Sequence, residues 1–583
     1  MKSDLERLLQ EALRTLVPSV LAEAADPAQV VVERARDAQH GDFQSNIAMR
    51  LAKAARKNPR ELAQAIVAAL PKSPLLAGAE VAGAGFINFR LAKDAWFSAL
   101  KDIAAQGADY GRSKVGAGKK VMVEFVSANP TGPMHVGHGR GAAYGATLGN
   151  LLEATGHTVY REYYINDAGR QIDILAVSVW LRYLERVGER VTFPSNAYKA
   201  EYILPVAEAL QARRGDVLKR AAAEVAANVP ADAPAGDKDK HVDGLISNAR
   251  KLLGNAEFES IVLFARDAMM ADIRNDLEEF RVHFDRWYSE RELAQSGAVD
   301  KMLARLRESG RVYEKDGALW FKSTDYGDDE DRVVVRANGE KTYFASDIAY
   351  HYDKLQRGHD LLIDVWGADH HGYVARVRGA LVALGYAGES FEVTLMQLVR
   401  LMRNGELVPM GKREGNFVTL REVRNEVGND ACRFFYLMRS HDQGLDFDLE
   451  LAKSRSNENP VYYIQYAHAR VSSVMKQLGT KNLEFDAAAA ELAQLTNVHE
   501  QAVITALSKY PEVVQHAALN RAPHALVHFL RDLANTLHTY YNAEQFIVEE
   551  AGLRNARLTL VLAVQTVIRN GLTLLGVSAP ETM

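Results

Sequence analysis

Residues 121–146 read VMVEFVSANPTGPMHVGHGRGAAYGA. Val121–Val126 is an apolar run that predicts a buried strand, Asn129-Pro130 and Gly132-Pro133 predict a loop, and His135-Val136-Gly137-His138 predicts the first turn of a helix. A strand feeding a helix N-terminus makes an anion site, because free backbone N–H groups and the helix dipole converge there. His135 and His138, spaced i, i+3, share one face of that turn, and Gly137 between them leaves room for a flat ligand. The expectation is an ATP site. Taken alone, the same residues also fit a surface helix start with two solvated histidines. Together with Asp369, His370 and His371 they have zinc-ligand chemistry too. The glycine-rich helix start suits a phosphate, and no metal-ligand set is assigned.

On either side of this unit the alternation of strand and helix continues. Thr158–Ile165 predicts a strand, Leu361–Trp366 a near-continuous apolar strand buried on both faces, and Phe391–Met402 another, with a hairpin turn at Arg403-Asn404-Gly405-Glu406. Sheet signals also fall on Arg332–Val335 and Thr342–Ala345. Such alternation implies a doubly wound parallel sheet, whose ligands bind at the carboxyl ends of the strands, where Asn129, Asp347 and Asp369 fall. Asp173–Arg186, the alanine-rich Ala200–Val229 and Val242–Phe280 predict helix, with a charged loop at Pro230–Lys240, and read as an insertion.

Before residue 112 the pattern is that of a small α+β domain. A first helix stops at Pro18, Gln29–Glu33 is a short strand, Asn58-Pro59 opens a second helix, Glu80–Leu91 ends in a strand, and Ala92–Gln106 is a third helix. Gly111–Gly118 reads as a linker. Beyond residue 420 the segments are almost only helical. The expected fold is multidomain α/β. It has an N-terminal α+β domain (1–112), a Rossmann-like parallel-sheet catalytic domain (113–420) with a helical insertion at about 170–290, and a C-terminal all-α bundle (421–583).

The 583 residues, 48% hydrophobic and 25% charged, suffice for roughly three to four domains. One cysteine, Cys432, excludes an internal disulfide framework and a cysteine zinc cluster and suits a reducing compartment. The N-terminus, MKSDLERLLQEAL, lacks the apolar core of a signal peptide, and Leu558–Ile568 is broken by Thr559, Gln565 and Thr566, as in a core helix rather than a membrane span. A net charge of -5 neither advertises nor excludes nucleic acid, since a basic groove can sit on an acidic protein.

PMHVGH at a strand-to-helix junction resembles the HIGH signature of class I aminoacyl-tRNA synthetases. Val408–Gly415, VPMGKREG, resembles the mobile KMSKS loop of that class. It keeps Met410 and Lys412, with Pro409 in place of the first lysine and Gly411 and Arg413 in place of the serines. VEFVSANPTGPMHVGHGRG, YYINDAGRQ, TYFASDIAYH, VWGADHHGY, NDACRFFYL and NPVYYIQYAHAR look like the arginyl-tRNA synthetase family, and HGDFQSN with GFINF resembles the extra N-terminal domain of that family. The resemblance spans the chain apart from the helical insertion near 190–250.

Activation of an amino acid is in-line attack of its carboxylate on the α-phosphate of ATP, and depends on positioning and on cations that meet the developing charge. His135 and His138 can bond phosphate oxygens in the transition state, and Lys412 can close on the leaving diphosphate. Thr131–Met134 holds no compensating lysine, so the role stays with Lys412, while Pro409 leaves open what assists it. The resemblance gives Gly137, Gly367, Asp369, His370 and Met410 to ATP; Asp369 is otherwise an N-cap.

A guanidinium is a planar fork of donors and calls for carboxylates and aromatic faces. Tyr343 and Asp347, spaced i, i+4, meet on one helix face, and Glu124 inside an apolar strand needs a partner. The resemblance implies Tyr343 and Asp347 at the guanidinium end of a bound arginine, and Glu124 and Asn129 toward its α-amino end. The competing readings are a salt bridge from Glu124 to an arginine of the chain, core packing for Tyr343, and loop capping for Asn166 and Asp167.

For RNA, Tyr463, Tyr466 and Arg470 at i, i+3, i+7 form a face on which unpaired bases can stack, while Tyr462 reads as core. The resemblance implies that this face meets the anticodon loop, that Met583 packs against it, and that Phe86 and Asn88 hold a D-loop base, although Phe86 equally suits the sheet core. The implied activity is ligation of L-arginine to tRNA(Arg) with ATP and Mg2+, by a cytoplasmic monomer, with a first step that needs bound tRNA. Another HIGH-type nucleotidyltransferase and a non-catalytic RNA-binding paralogue are the alternatives; retention of His135, His138 and Lys412 argues against the second.

Overall fold

The computed structural model describes residues 1–17, 30–35, 37–408 and 418–583. Its centre is a five-stranded parallel sheet with the spatial order Phe391–Met396, Leu361–Gly367, Lys120–Glu124, Thr158–Ile165, Arg286–Ser289. The chain enters in the middle, winds to one edge, then crosses back to build the other side. Direction therefore reverses between Lys120–Glu124 and Leu361–Gly367, which opens a crevice at their carboxyl ends. The opening strand is shorter than expected. Val126 and Ser127 have φ of 70° and 42°, and that turn takes the chain off the ladder after Glu124. The helix that follows, Val136–Ala154, is buried along most of its length. Its glycines permit this: a Cβ on Gly145 would lie 2.2 Å from the Phe125 ring.

Several expected elements change. Phe391–Met402 breaks after Met396; Val399–Arg403 joins a separate small sheet with Glu406–Leu407 and Leu445–Asp448. The hairpin turn is present, with Asn404 and Gly405 at φ 52° and 79°. Arg332–Val335 pairs antiparallel in a three-stranded sheet outside the central one. Thr342–Ala345 is not a strand. The Thr342 hydroxyl accepts the Ala345 N–H and caps the helix Tyr343–Gln356, so cap chemistry prevails over the β propensity of Thr-Tyr-Phe. Ala200–Val229 is two helices, Ile203–Arg214 and Ala222–Val225, interrupted from Gly215 (φ 54°) onward.

The N-terminal domain is an antiparallel sheet, ordered Glu33–Arg34, Phe43–Ser45, Phe86–Leu91, Leu76–Ala82, covered by helices. The strand expected at Gln29–Glu33 is displaced to Glu33–Arg34; Val30 and Val32 are buried in the core, and Gln29 and Pro18 lie outside the described residues. Arg34 ties this domain to the C-terminal one, donating to Glu512 and to the Ser508 carbonyl. The C-terminal bundle consists mainly of Pro460–Thr480, Val498–Leu519, Pro523–Ala543 and Ala551–Leu575. The last is long and apolar enough to cross a bilayer, yet Leu558, Val561, Val564 and Ile568 are buried in the core.

Candidate active site

His135 is the N-cap of Val136–Ala154 rather than part of its first turn. Its Nδ1 accepts the Gly137 N–H at 3.0 Å, and His138 Nδ1 accepts the His135 N–H at 3.2 Å, a capping box made of imidazoles. The two rings stack with centroids 3.6 Å apart. Gly137 permits this, since a Cβ there would lie 2.9 Å from the His135 ring. A neutral ring whose Nδ1 accepts carries its proton on Nε2, so both rings present an Nε2–H donor beside a helix N-terminus. Lys412 and Met410, with Pro409, lie outside the described residues. The chain just after them returns to the histidines: Val136 N–H donates to the Val418 carbonyl, and Leu420 N–H to that of Met134.

Three buried acids lie side by side across the sheet, Asp364 next to Glu124 and Glu124 next to Glu162. The helix Tyr343–Gln356 and the residue after it answer them. Lys354, fully buried, bonds to Glu124 and, at 3.0 Å, to Asp364. The Tyr350 hydroxyl lies 2.9 Å from Glu124 and 2.8 Å from Glu162, Arg357 forks onto Glu162, and His351 Nε2 is 2.7 Å from Asp364. Burial pushes the Glu124 carboxyl up, and Lys354 opposes this. Asp364 is held below the usual carboxylate range, because Lys354 and His351 outweigh its burial. Glu124 thus has the salt bridge considered for it, but to a lysine, not an arginine.

Past the strand ends the situation reverses. Asp347 is half-buried and accepts from the Tyr373 hydroxyl at 2.6 Å. Glu290, just beyond Arg286–Ser289, is half-buried, and its Oε2 has no hydrogen-bond partner among the described residues. Burial, then the charges of Asp347 and Asp167, push Glu290 up to about 7. Burial also pushes Asp347 up. Among the described residues neither carboxylate has an ion-pair partner within 4.0 Å. Tyr164 lies within electrostatic reach of Glu290, Asp347 and Glu124. Tyr343, 73% exposed, is not core; its hydroxyl lies over Gly169, 3.7 Å from where a Cβ would be. Asp167 takes the loop-fixing role, accepting from Arg266, Ser289 and the Arg291 N–H.

Between these two regions runs the loop after Glu124. Positive φ at Val126 and Ser127 costs on the order of 1–3 kcal/mol per residue. The turn lets the Ser127 hydroxyl donate to Glu124 at 2.8 Å. Asn129 is exposed, and its amide donates to Gln171 at 2.8 Å. Across the crevice, Gly367 ends its strand and is followed by a 3-10 turn, Ala368–Tyr373. Asp369 and His370 are exposed, 3.7 Å apart, and Asp369 caps no helix.

Away from the crevice, Phe86 and Asn88 share the sheet face opposite to Ile87, Phe89 and Leu91, which enter the N-terminal core. On Pro460–Thr480 the Arg470 guanidinium lies over the rings of Tyr466 (4.6 Å) and Tyr541 (4.3 Å) and donates to the Tyr466 hydroxyl. Tyr463 packs on His538. Tyr462 is not core: it stacks on Tyr466 and lines a cavity of about 470 Å³ with Met583. Sequence reading missed Glu290, Tyr373 and Tyr541. The four-residue strand before Glu290 is too short to signal itself, and Tyr373 and Tyr541 are placed by tertiary packing alone.

A doubly wound sheet whose first crossover helix opens on paired histidines is the class I aminoacyl-tRNA synthetase arrangement. Comparison with known proteins is more specific. The arginyl tRNA synthetase N terminal domain matches residues 3–91, the class I (R) tRNA synthetase catalytic domain residues 99–193 and 249–440, and the DALR anticodon binding domain residues 464–583. An arginine–tRNA ligase from Thioalkalivibrio sulfidiphilus is 55% identical over 586 residues, covering 100% of both chains, and one from Azoarcus sp. is 52% identical with the same coverage. The structure of Thermus thermophilus arginyl-tRNA synthetase aligns with a TM-score of 0.74 at 25% identity, covering 100% of each chain. The chain belongs to the arginyl-tRNA synthetase family.

Proposed function

We propose that this chain activates L-arginine with ATP to arginyl-adenylate and transfers the arginyl group to the 3′ end of tRNA(Arg), releasing AMP and diphosphate. The observation that carries the arginine assignment is the half-buried pair Asp347 and Glu290, which lacks an ion-pair partner among the described residues. Two such carboxyls with Tyr373, Tyr343 and Tyr164 around them are a socket for a planar cation with several donors. Asn129 takes the α-amino end, on the loop that Glu124 anchors through Ser127. His135 and His138 offer Nε2–H donors to the α-phosphate as charge grows on it, with Gly137 keeping the rings together. Gly367, Asp369 and His370 take the adenosine side, and Met410 and Lys412 close on the diphosphate. Mg2+ would arrive on ATP's phosphates.

The tRNA would lie along both outer domains, with Phe86 and Asn88 at the D-loop and Tyr463, Tyr466, Arg470 and Met583 at the anticodon loop. The domain borders at 112 and 420, a monomeric state and a cytoplasmic location belong to the same proposal. Pyrophosphate exchange tests it. Exchange is expected with arginine and tRNA together, and neither with lysine, which lacks the fork, nor with citrulline, which keeps the shape and lacks the charge. Exchange with citrulline would refute the socket; full exchange without tRNA would refute the tRNA-dependent first step.

A further inference from the structure

The match to the class I catalytic domain stops at residue 193 and resumes at 249. The segment between them reaches the substrate loop with a phenol. That loop leaves its strand through the strained Val126 and Ser127, a conformation held only when neighbours over-determine it. The neighbours can be assigned in order. Tyr163 donates to the Ala128 carbonyl at 2.8 Å, and Gln171 accepts from the Asn129 amide at 2.8 Å. The next comes from the insertion: Tyr202 Oη donates to the Thr131 carbonyl at 2.9 Å, with Tyr198 within electrostatic reach of it.

Both phenols are firmly based. Tyr198 N–H donates to Ser178 Oγ at 3.0 Å, on the helix Arg170–Arg186 that also carries Gln171. Tyr198 and Tyr202 pack against the insertion's own core, with Ile203 and Val206 buried beside them. The loop passes directly under Tyr202: a Cβ on Gly132 would come within 2.8 Å of its hydroxyl. Burial pushes both phenols above their ordinary value, so they stay protonated at neutral pH.

We propose that Tyr202 is a positioning residue for arginine activation: the insertion uses its hydroxyl to fix the Thr131–Gly132 turn, and through it the placement of Asn129 relative to His135. The inference rests on the arginine and ATP assignments made above.

Tyr202→Phe and Tyr198→Phe each remove one oxygen and keep the ring. Loss of one neutral hydrogen bond is worth about fivefold. Tyr202→Phe is therefore expected to raise the KM for arginine about fivefold in pyrophosphate exchange, and the double variant at least as much. The thermal midpoint and the KM for tRNA should stay at wild-type values. Asn129→Ala is measured in parallel. If it raises the arginine KM while the double variant is silent, the brace is overturned and the site assignment stands. If both are silent, both fall. A double variant that melts earlier and loses affinity for arginine, ATP and tRNA alike overturns the brace in favour of ordinary packing.

Discussion

Two groups of acids share one helix, Tyr343–Gln356, and are treated in opposite ways. The row Asp364, Glu124, Glu162 lies under it and is matched with Lys354, Arg357, His351 and Tyr350. The pair Asp347 and Glu290 lies at its start, and among the described residues the hydrogen bond these two carboxyls accept is that of the Tyr373 hydroxyl on Asp347. The row shows what the protein does with buried charge that it intends to keep: it supplies cations at hydrogen-bond distance. The pair shows charge left short of a cation, at the mouth of the crevice. Under the proposed function, the difference separates scaffold from binding site more sharply than burial does.

Emptying the row of its cation should have the largest effect. Lys354→Met leaves Glu124 and Asp364 without their shared partner, and a loss of about 3–5 kcal/mol of stability is expected, read as an early urea or thermal transition. A variant as stable as wild type would mean the row needs no cation. Neutralising the pair should do the reverse. Asp347→Asn is expected to cut kcat/KM for arginine by about 30- to 1,000-fold, on the order of 2–4 kcal/mol, with tRNA affinity and melting unchanged. Equal loss of arginine use and melting temperature would put Asp347 back among the scaffold residues.

The pH dependence sharpens the contrast. Glu290 is held up to about 7, so it is mostly protonated on the acid side of that value and ionised above it. Guanidinium binds the ionised form, so the KM for arginine should fall as pH rises through about 7 and, below it, worsen toward tenfold per pH unit. Glu290→Gln should flatten that limb and raise the KM about tenfold at higher pH. Its folded pKa lies above the usual carboxyl value, so ionisation opposes folding as pH rises from about 4.5 to about 7, and the glutamine variant should melt no lower than wild type at neutral pH. The smallest effect is expected far from either group of acids. Tyr466→Ala should raise the KM for tRNA by about five- to tenfold, at the low end of a stacking loss, and leave that for ATP alone.

The strand–loop–helix unit at 121–146 was legible because its features are local, an apolar run, turn residues and a glycine-rich helix start, whereas the N-cap role of His135 was not. Leu361–Gly367 was legible for the same reason. Thr342–Ala345 misled because Thr, Tyr and Phe favour strands, whereas one hydroxyl accepting the Ala345 N–H settles the matter for helix. The row of acids could not be assembled from sequence, although Glu124 in VMVEFV and Asp364 in LLIDVW sit at matching depths. Their adjacency depends on which strands pair, a non-local fact. Glu290 follows a four-residue strand too short to signal itself, and Tyr541 meets Arg470 only through the packing of two long helices.

The stacked histidines at the head of Val136–Ala154 have a consequence for acid conditions. Each Nδ1 already holds a backbone N–H, so a ring cannot accept a second proton there without releasing the amide it secures. Charging the imidazoles and unfastening the first helical turn are therefore a single event. Under the proposed function, rings held by those two bonds would meet the phosphate already oriented. A drop in pH that would make each histidine a stronger attractor for anions would, in the same stroke, dissolve the geometry that aims it.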